Sequence, residues 1–134
     1  MKKIGIINAP LSRVVSVLCH MDTIVIADAG LPIPGNVERI DLALKRGTPG
    51  FLETLEVVLL EMYIERAIIA KEMLDYSVEI HQGIQQLLHE TPIESVPHIE
   101  FKELTQSAKA IVRTGEFKPY ANIILVAGAW GFEL

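Results

Sequence analysis

The sequence predicts an α/β sandwich built on a largely buried sheet. Two observations carry this. Short apolar runs, rich in β-branched residues, occur at Thr23 to Ala27, Ile64 to Ala70 and Asn122 to Ala127, and between them apolar residues recur at helical spacing. Strands separated by helices imply a sheet whose faces are covered. With 134 residues, no Pro/Gly/Ser-rich linker, no low-complexity segment and no internal repeat, residues 1–134 read as one domain.

Taken in order, Ile4 to Ile7 is a short strand candidate, and Asn8 with Pro10 then offers a helix start. Leu11, Val14, Val15 and Leu18 repeat at helical spacing, so an amphipathic helix is expected to end near His20. Thr23 to Ala27 is the next strand. It delivers Asp28 to the loop Asp28-Ala29-Gly30-Leu31-Pro32-Ile33-Pro34-Gly35, which cannot continue regular structure. Thr48 and Pro49 form a cap and first-turn signal for a helix with an apolar face of Phe51, Leu52, Leu55, Val58, Leu59 and Met62. Ile64 to Ala70 is a strand, and Asp75 or Ser77 opens a helix through Ile84, Leu87 and Leu88. Phe101 to Ala108 is helical, and Asn122 to Ala127 is a buried strand followed by a Gly-rich apolar tail.

Composition narrows the function classes. The formal net charge is -5, which gives no electrostatic reason to approach nucleic acid or anionic lipid. No apolar run reaches the roughly 18 residues of a membrane span, and Asn8, Pro10, Ser12 and Arg13 interrupt the N-terminal apolar stretch before an export signal could form. Cys19 is the one cysteine, so intrachain disulfides and multi-cysteine zinc sites are excluded and a reducing cytoplasm suits the chain. Hydrophobic residues make up 50% of the sequence and the mean hydropathy is +0.35. That is high for a small soluble monomer, and implies that some apolar surface meets another subunit.

Chemistry is expected where polar residues end the buried elements. His20 is the natural proton shuttle, since a free imidazole titrates near pH ~6.5. From spacing alone, a helix-ending histidine stabilised by the helix dipole is the favoured reading. Asp28 before Ala-Gly is by default a turn-former, with an acid-base role as the alternative. An extended strand puts Asp28 roughly 17 to 20 Å from Asp22, so His20, Asp22 and Asp28 are not expected to meet within one subunit. Neither G-x-G-x-x-G nor a Walker loop occurs after any strand. His81 and His89 lie two helical turns apart rather than one, and read as solvated surface instead of metal ligands. Cys19 is expected in the core, because sequence neighbours on a helix point apart and it cannot pair with His20 as a nucleophile.

Three blocks carry a resemblance. The first is Met1-Lys2-Lys3, Asn8, then His20-Met21-Asp22-Thr23-Ile24-Val25-Ile26-Ala27-Asp28-Ala29-Gly30-Leu31-Pro32-Ile33-Pro34 with Arg39-Ile40-Asp41-Leu42-Ala43. The second is His98 followed by Phe101-Lys102-Glu103. The third is Ile111-Val112-Arg113-Thr114-Gly115-Glu116 with Pro119-Tyr120-Ala121-Asn122-Ile123-Ile124-Leu125. In this order and spacing they resemble the D-ribose pyranase family of the ribose/fucose mutarotase superfamily, over essentially the whole chain. The loop Asp28-Ala29-Gly30-Leu31-Pro32 and the late Tyr120-Ala121-Asn122 favour it over the related L-fucose mutarotases.

The resemblance implies a three-layer α/β/α sandwich with a mostly parallel or mixed sheet, assembled into a ring-like homo-oligomer with sites near subunit contacts and a decamer among the admissible sizes. It implies interconversion of the pyranose and furanose forms of free D-ribose for ribose catabolism, without cofactor or metal. His20 matches the catalytic proton donor, and Asp28, His98, Tyr120, Ala121 and Asn122 match sugar-binding positions, with Lys102 a further contact. Strand-end capping is the alternative role for Asp28, Tyr120 and Asn122. A non-catalytic ribose-binding accessory protein would need the same polar site without the proton shuttle. The tail Trp130-Gly131-Phe132-Glu133-Leu134 departs from the family's usual ending.

Overall fold

The computed structural model describes residues 1–129. Six strands form one mixed sheet. In chain order they are β1 (Thr23–Ala27), β2 (Glu38–Asp41), β3 (Ile64–Ala70), β4 (Ile93–Val96), β5 (Ala110–Arg113) and β6 (Ile123–Ala127). The spatial order is β2-β5-β1-β6-β3-β4. β1 and β2 both run parallel to β5, β3 runs parallel to β4, and β6 is antiparallel to β1 and β3. A single reversed strand therefore lies inside an otherwise parallel sheet.

The helices are α1 (Ala9–Val17), α2 (Phe51–Leu59), α3 (Met73–Tyr76), α4 (Val78–Leu88) and α5 (His98–Leu104), with a 3-10 turn at Thr105–Ser107. Strand side chains alternate between two cores, as the pleat requires. Ile24, Ile26, Ala67, Ile69, Ile123 and Leu125 face Leu11 and Val14 of α1, Phe51, Leu55 and Val58 of α2, and Ile80, Ile84 and Leu88 of α4. Val25, Ala27, Ile68, Ile111 and Ile124 face the opposite side, where Phe101 of α5 and the loop residues Leu31 and Val37 cover them. The result is the expected three-layer sandwich. Phe51 and Phe101 have no accessible surface, and truncating either to Ala costs about 3–5 kcal/mol.

Several expectations need correction. Residues 4–7 form no strand. Gly5 takes a left-handed φ of 78°, the Ile6 N–H donates to Glu61 Oε2 at 2.5 Å and the Ile6 carbonyl accepts from Lys2 Nζ, so side chains satisfy this backbone instead of a neighbouring strand. α1 stops at Val17, with Leu18 already extended, so His20 is not a helix-ending residue. Its predicted start is correct: Asn8 is the N-cap, accepting from the Leu11 N–H at 3.0 Å.

At α2 the cap is Gly50, not Thr48. Thr48 turns back on Lys45, and Glu116, 65 residues away in sequence, accepts the Phe51 N–H at 3.2 Å. Ser77 rather than Asp75 opens α4, but its hydroxyl donates to the Pro119 carbonyl at 2.5 Å instead of capping. Cys19 is exposed, not packed in the core, and His81 is half-buried while His89 is exposed. The tail at 130–134 lies outside the described residues.

Candidate active site

The sheet separates the polar residues into two groups at opposite ends. Asp28 follows β1, Lys71 and Glu72 follow β3, Thr114 to Glu116 follow β5, and Tyr120 to Asn122 precede the antiparallel β6. Registers place these at one end: Ile26 pairs with Ile123, Ala27 with Arg113 and Ala70 with Val96. This is the carboxyl end of the parallel strands, where ligands of open α/β sheets bind.

Asp28 and Asn122 hold each other there. The Asp28 N–H donates to Asn122 Oδ1 at 2.8 Å, and Asn122 Nδ2 donates to Asp28 Oδ2 at 3.2 Å. Oδ1 of Asp28 also accepts from the N–H groups of Gly30 and Leu31 at 2.9 and 2.8 Å, so its turn-forming role is real as well. Burial pushes the Asp28 carboxyl above the ordinary carboxylate range. The Gly30, Asn122 and Leu31 hydrogen bonds and the nearby His98 pull it back.

Tyr120 and His98 form an aromatic wall beside this pair, their rings edge-to-face at 5.0 Å. Tyr120 takes a left-handed φ of 58°, unusual for a bulky side chain and found where surroundings over-determine the backbone. Here the Pro119 carbonyl is tied to Ser77 and the Tyr120 carbonyl accepts from the Asn122 N–H at 2.9 Å. Tyr76 also packs against Tyr120, at 5.6 Å between ring centroids. The His98 backbone N–H is held by both oxygens of Glu72 at 3.0 and 3.1 Å. Its Nδ1 is buried without a hydrogen-bond partner among the described residues. Burial, and then the Lys102 ammonium, hold the His98 imidazole below its ordinary pKa, against the carboxylates of Glu72 and Asp28.

Ala121 is fully buried, with its side chain in the core, so in the single subunit it presents no surface to a ligand. A cavity of about 280 Å³ opens beside Asp28, lined also by Gly30, Arg113, Glu116 and Pro119. Arg113 is committed: its Nε donates to the Ala29 carbonyl at 2.9 Å and Nη1 reaches Asp41 at 3.2 Å.

His20 lies at the other end, on the turn that enters β1. Cys19 and Asp22 close this turn through two hydrogen bonds, and Met21 within it has a φ of 75°. Its imidazole Nε2 lies 2.9 Å from Glu65 Oε2. The structure thus brings together Asp28, His98, Tyr120, Asn122 and, through its charge, Lys102, and leaves His20 apart from them. The expected strand-length separation of His20 from Asp28 holds. Sequence reasoning missed Glu65, Glu72 and Glu116. Only Glu65 left a signal, a charged residue inside an apolar strand run.

Known proteins share this fold over most of the chain. A D-ribose pyranase of Laribacter hongkongensis is 57% identical over 128 residues, covering 96% of this chain and 98% of the relative. Bacillus subtilis RbsD complexed with D-ribose superposes with a TM-score of 0.94 at 50% identity, over 96% and 98% of the two chains. The fucose mutarotase of Streptococcus pneumoniae, in complex with L-fucose, gives 0.74 at 27% identity over 90% and 91%. The RbsD / FucU transport protein family model matches residues 1–130, and the chain belongs to that family.

Proposed function

We propose that the chain is a D-ribose pyranase, a mutarotase that interconverts the pyranose and furanose rings of free D-ribose in the cytoplasm. The carrying observation is the Asp28–Asn122 pair walled by Tyr120 and His98, in a fold that matches a ribose-complexed relative at 50% identity. Asp28 and Asn122 present acceptors and donors to sugar hydroxyls, and the Tyr120 ring offers a flat surface to the sugar's apolar face. The buried His98 Nδ1 gains a partner when a hydroxyl donates to it. Lys102 lies near enough to influence His98, and Ala121 packs in the core directly before Asn122.

Ring opening removes the proton from the anomeric hydroxyl and protonates the ring oxygen as the C1–O bond breaks. Reclosure by a different hydroxyl returns both protons and changes the ring size. The reaction consumes no cofactor, and positioned proton transfer contributes about 10² to 10⁴ in rate. His20 is the acid. Since Asp28 and His20 lie at opposite ends of β1, the reading places His20 from one subunit opposite the Asp28 group of another, within a ring-like oligomer. Exposed Ile4, Ile7, Val57 and Leu60 supply apolar surface suited to self-association.

Saturation-transfer NMR with D-ribose tests the reading. The native protein is expected to exchange pyranose and furanose signals, and folded His20→Ala protein to lose nearly all of that exchange. Binding without exchange by the native protein would leave a ribose-binding accessory role, and faster exchange of L-fucose would favour the fucose mutarotase reading.

A further inference from the structure

The strand that carries Glu65 breaks register at that residue. Ile64 pairs with Ala127 and Arg66 with Val126 of β6, so Glu65 is the extra residue of a bulge. Bulges leave one residue out of the ladder and re-aim its side chain, and they recur beside active sites. Here the re-aimed carboxylate meets His20. The histidine's own turn hangs from the same point on β6: the Met21 N–H donates to the Ala127 carbonyl at 2.9 Å, and the Ala127 N–H donates to the Asp22 carbonyl at 2.8 Å. Ala127 thus fixes both the bulge and the turn, and the left-handed Met21 lies within that turn.

A carboxylate only accepts hydrogen bonds when ionised, so the 2.9 Å contact requires Nε2 of His20 to carry hydrogen. The partner on one ring nitrogen decides which tautomer exists and which nitrogen is free. Among the described residues Nδ1 of His20 has no hydrogen-bond partner. On the reading of His20 as the proton donor, we propose that Glu65 is a positioning residue that holds His20 as the Nε2–H tautomer and leaves Nδ1 as the nitrogen that exchanges the proton with the sugar. In the step itself, Nδ1–H of the imidazolium passes to the ring oxygen as C1–O breaks, and the anomeric proton leaves to water. On reclosure the attacking hydroxyl returns a proton to Nδ1 and water returns one to the anomeric oxygen. Glu65 stays ionised throughout and touches no sugar atom.

Two measurements test this. The first needs no substrate: two-dimensional ¹H–¹⁵N spectra of the His20 imidazole at pH 8.5, well above the ~6.5 of free imidazole. The native protein is expected to give a predominantly Nε2–H pattern and Glu65→Ala a mixture. The second is D-ribose exchange kinetics. Glu65→Ala should lower kcat by ~10-fold or more, as loss of a histidine's orienting partner does elsewhere, with KM changed by less than about twofold. Glu65→Gln, whose amide oxygen still accepts from Nε2, should recover most of the loss. A predominantly Nδ1–H pattern in the native protein overturns the assignment, and so does unchanged kcat in Glu65→Ala. If Glu65→Ala fails to fold, the native spectrum and Glu65→Gln still decide. Failure of the broader reading shows separately, as His20→Ala protein that retains exchange.

Discussion

The imidazole of His98 stands edge-on to the Tyr120 ring at 5.0 Å, and its backbone N–H is clamped by both oxygens of Glu72. That places a titratable ring in the wall of the proposed sugar site, beside an Asp28 carboxyl that is itself displaced upward by burial.

A pH dependence follows from His98. Its folded pKa is lowered, chiefly by burial and then by Lys102, so the unfolded chain takes up a proton first as pH falls below ~6.5. The stability tied to neutral His98 is present in full above that value and is lost as pH falls through the depressed folded value. Asp28 acts in the opposite sense: the fold keeps its proton above ~3.8, so its contribution is present in full below that pH and is lost as pH rises through the raised folded value. Thermal unfolding is expected to show stability falling on acidification from pH ~6.5, with His98→Gln removing that part of the slope. An imidazole NMR titration of His98 should have its midpoint below ~6.5; a midpoint above it would refute the argument.

Gly115, five residues before Tyr120, lies close against the backbone of the turn at residues 45–49. A methyl group there would meet the Lys45 carbonyl oxygen at 2.5 Å and the Thr48 carbonyl oxygen and nitrogen at 2.6 and 2.7 Å. These are backbone atoms and cannot swing aside. Gly115→Ala is expected to lose about 1–3 kcal/mol in denaturant unfolding. Gly35→Ala, with nothing within 4 Å of the new methyl, should stay within about 0.5 kcal/mol. Equal losses at the two positions would mean that the backbone approach at Gly115 is not the constraint.

How much of this was legible depended on burial and on sequence distance. β1 and the half of β3 at residues 67–70 were readable because strand segments covered on both faces become continuous apolar runs. β2 was not: it pairs only with β5, at the sheet edge, and Ile40 is its one buried residue. β5 is fully central, yet its apolar core is only Ala110-Ile111-Val112, too short to stand out from a loop. Ile4 to Ile7 had the composition of a strand but no neighbouring strand to pair with. The polar site divides similarly. Asp28, Tyr120 and Asn122 came from family motifs, whereas Glu65 and Glu116 act on residues 45 and 65 positions away, contacts that local patterns do not encode.

Ring opening and reclosure require only proton transfer, and the described residues contain no group of three His, Cys, Asp or Glu side chains placed to hold a metal ion. Exchange of D-ribose is therefore expected to survive EDTA at full rate. Activity lost to the chelator and restored by a divalent cation would overturn this.

The shared-pocket arrangement makes the most specific prediction. β1 separates the His20 turn from Asp28 and the Tyr120 group, so a pocket needing both must draw on two subunits. His20→Ala and Tyr120→Ala proteins should each be inactive alone. Mixed within one ring, a Tyr120→Ala subunit can supply native His20 to a pocket whose Tyr120 comes from a His20→Ala neighbour. With random equal mixing in a closed ring, about a quarter of pockets receive both native residues, a quarter carry both defects and the rest carry one. Recovery near a quarter of native exchange is the expected ceiling. Subunits are combined by co-expression or joint refolding, and mass spectrometry must establish mixed rings before exchange is measured by NMR. Mixed rings as inactive as their parents would exclude a pocket that draws His20 and Tyr120 from different chains. The same-chain geometry would then have to bridge the length of β1, roughly 17 Å for five extended residues, which proton transfer cannot do directly, so His20 would lose its role as the donor to this site.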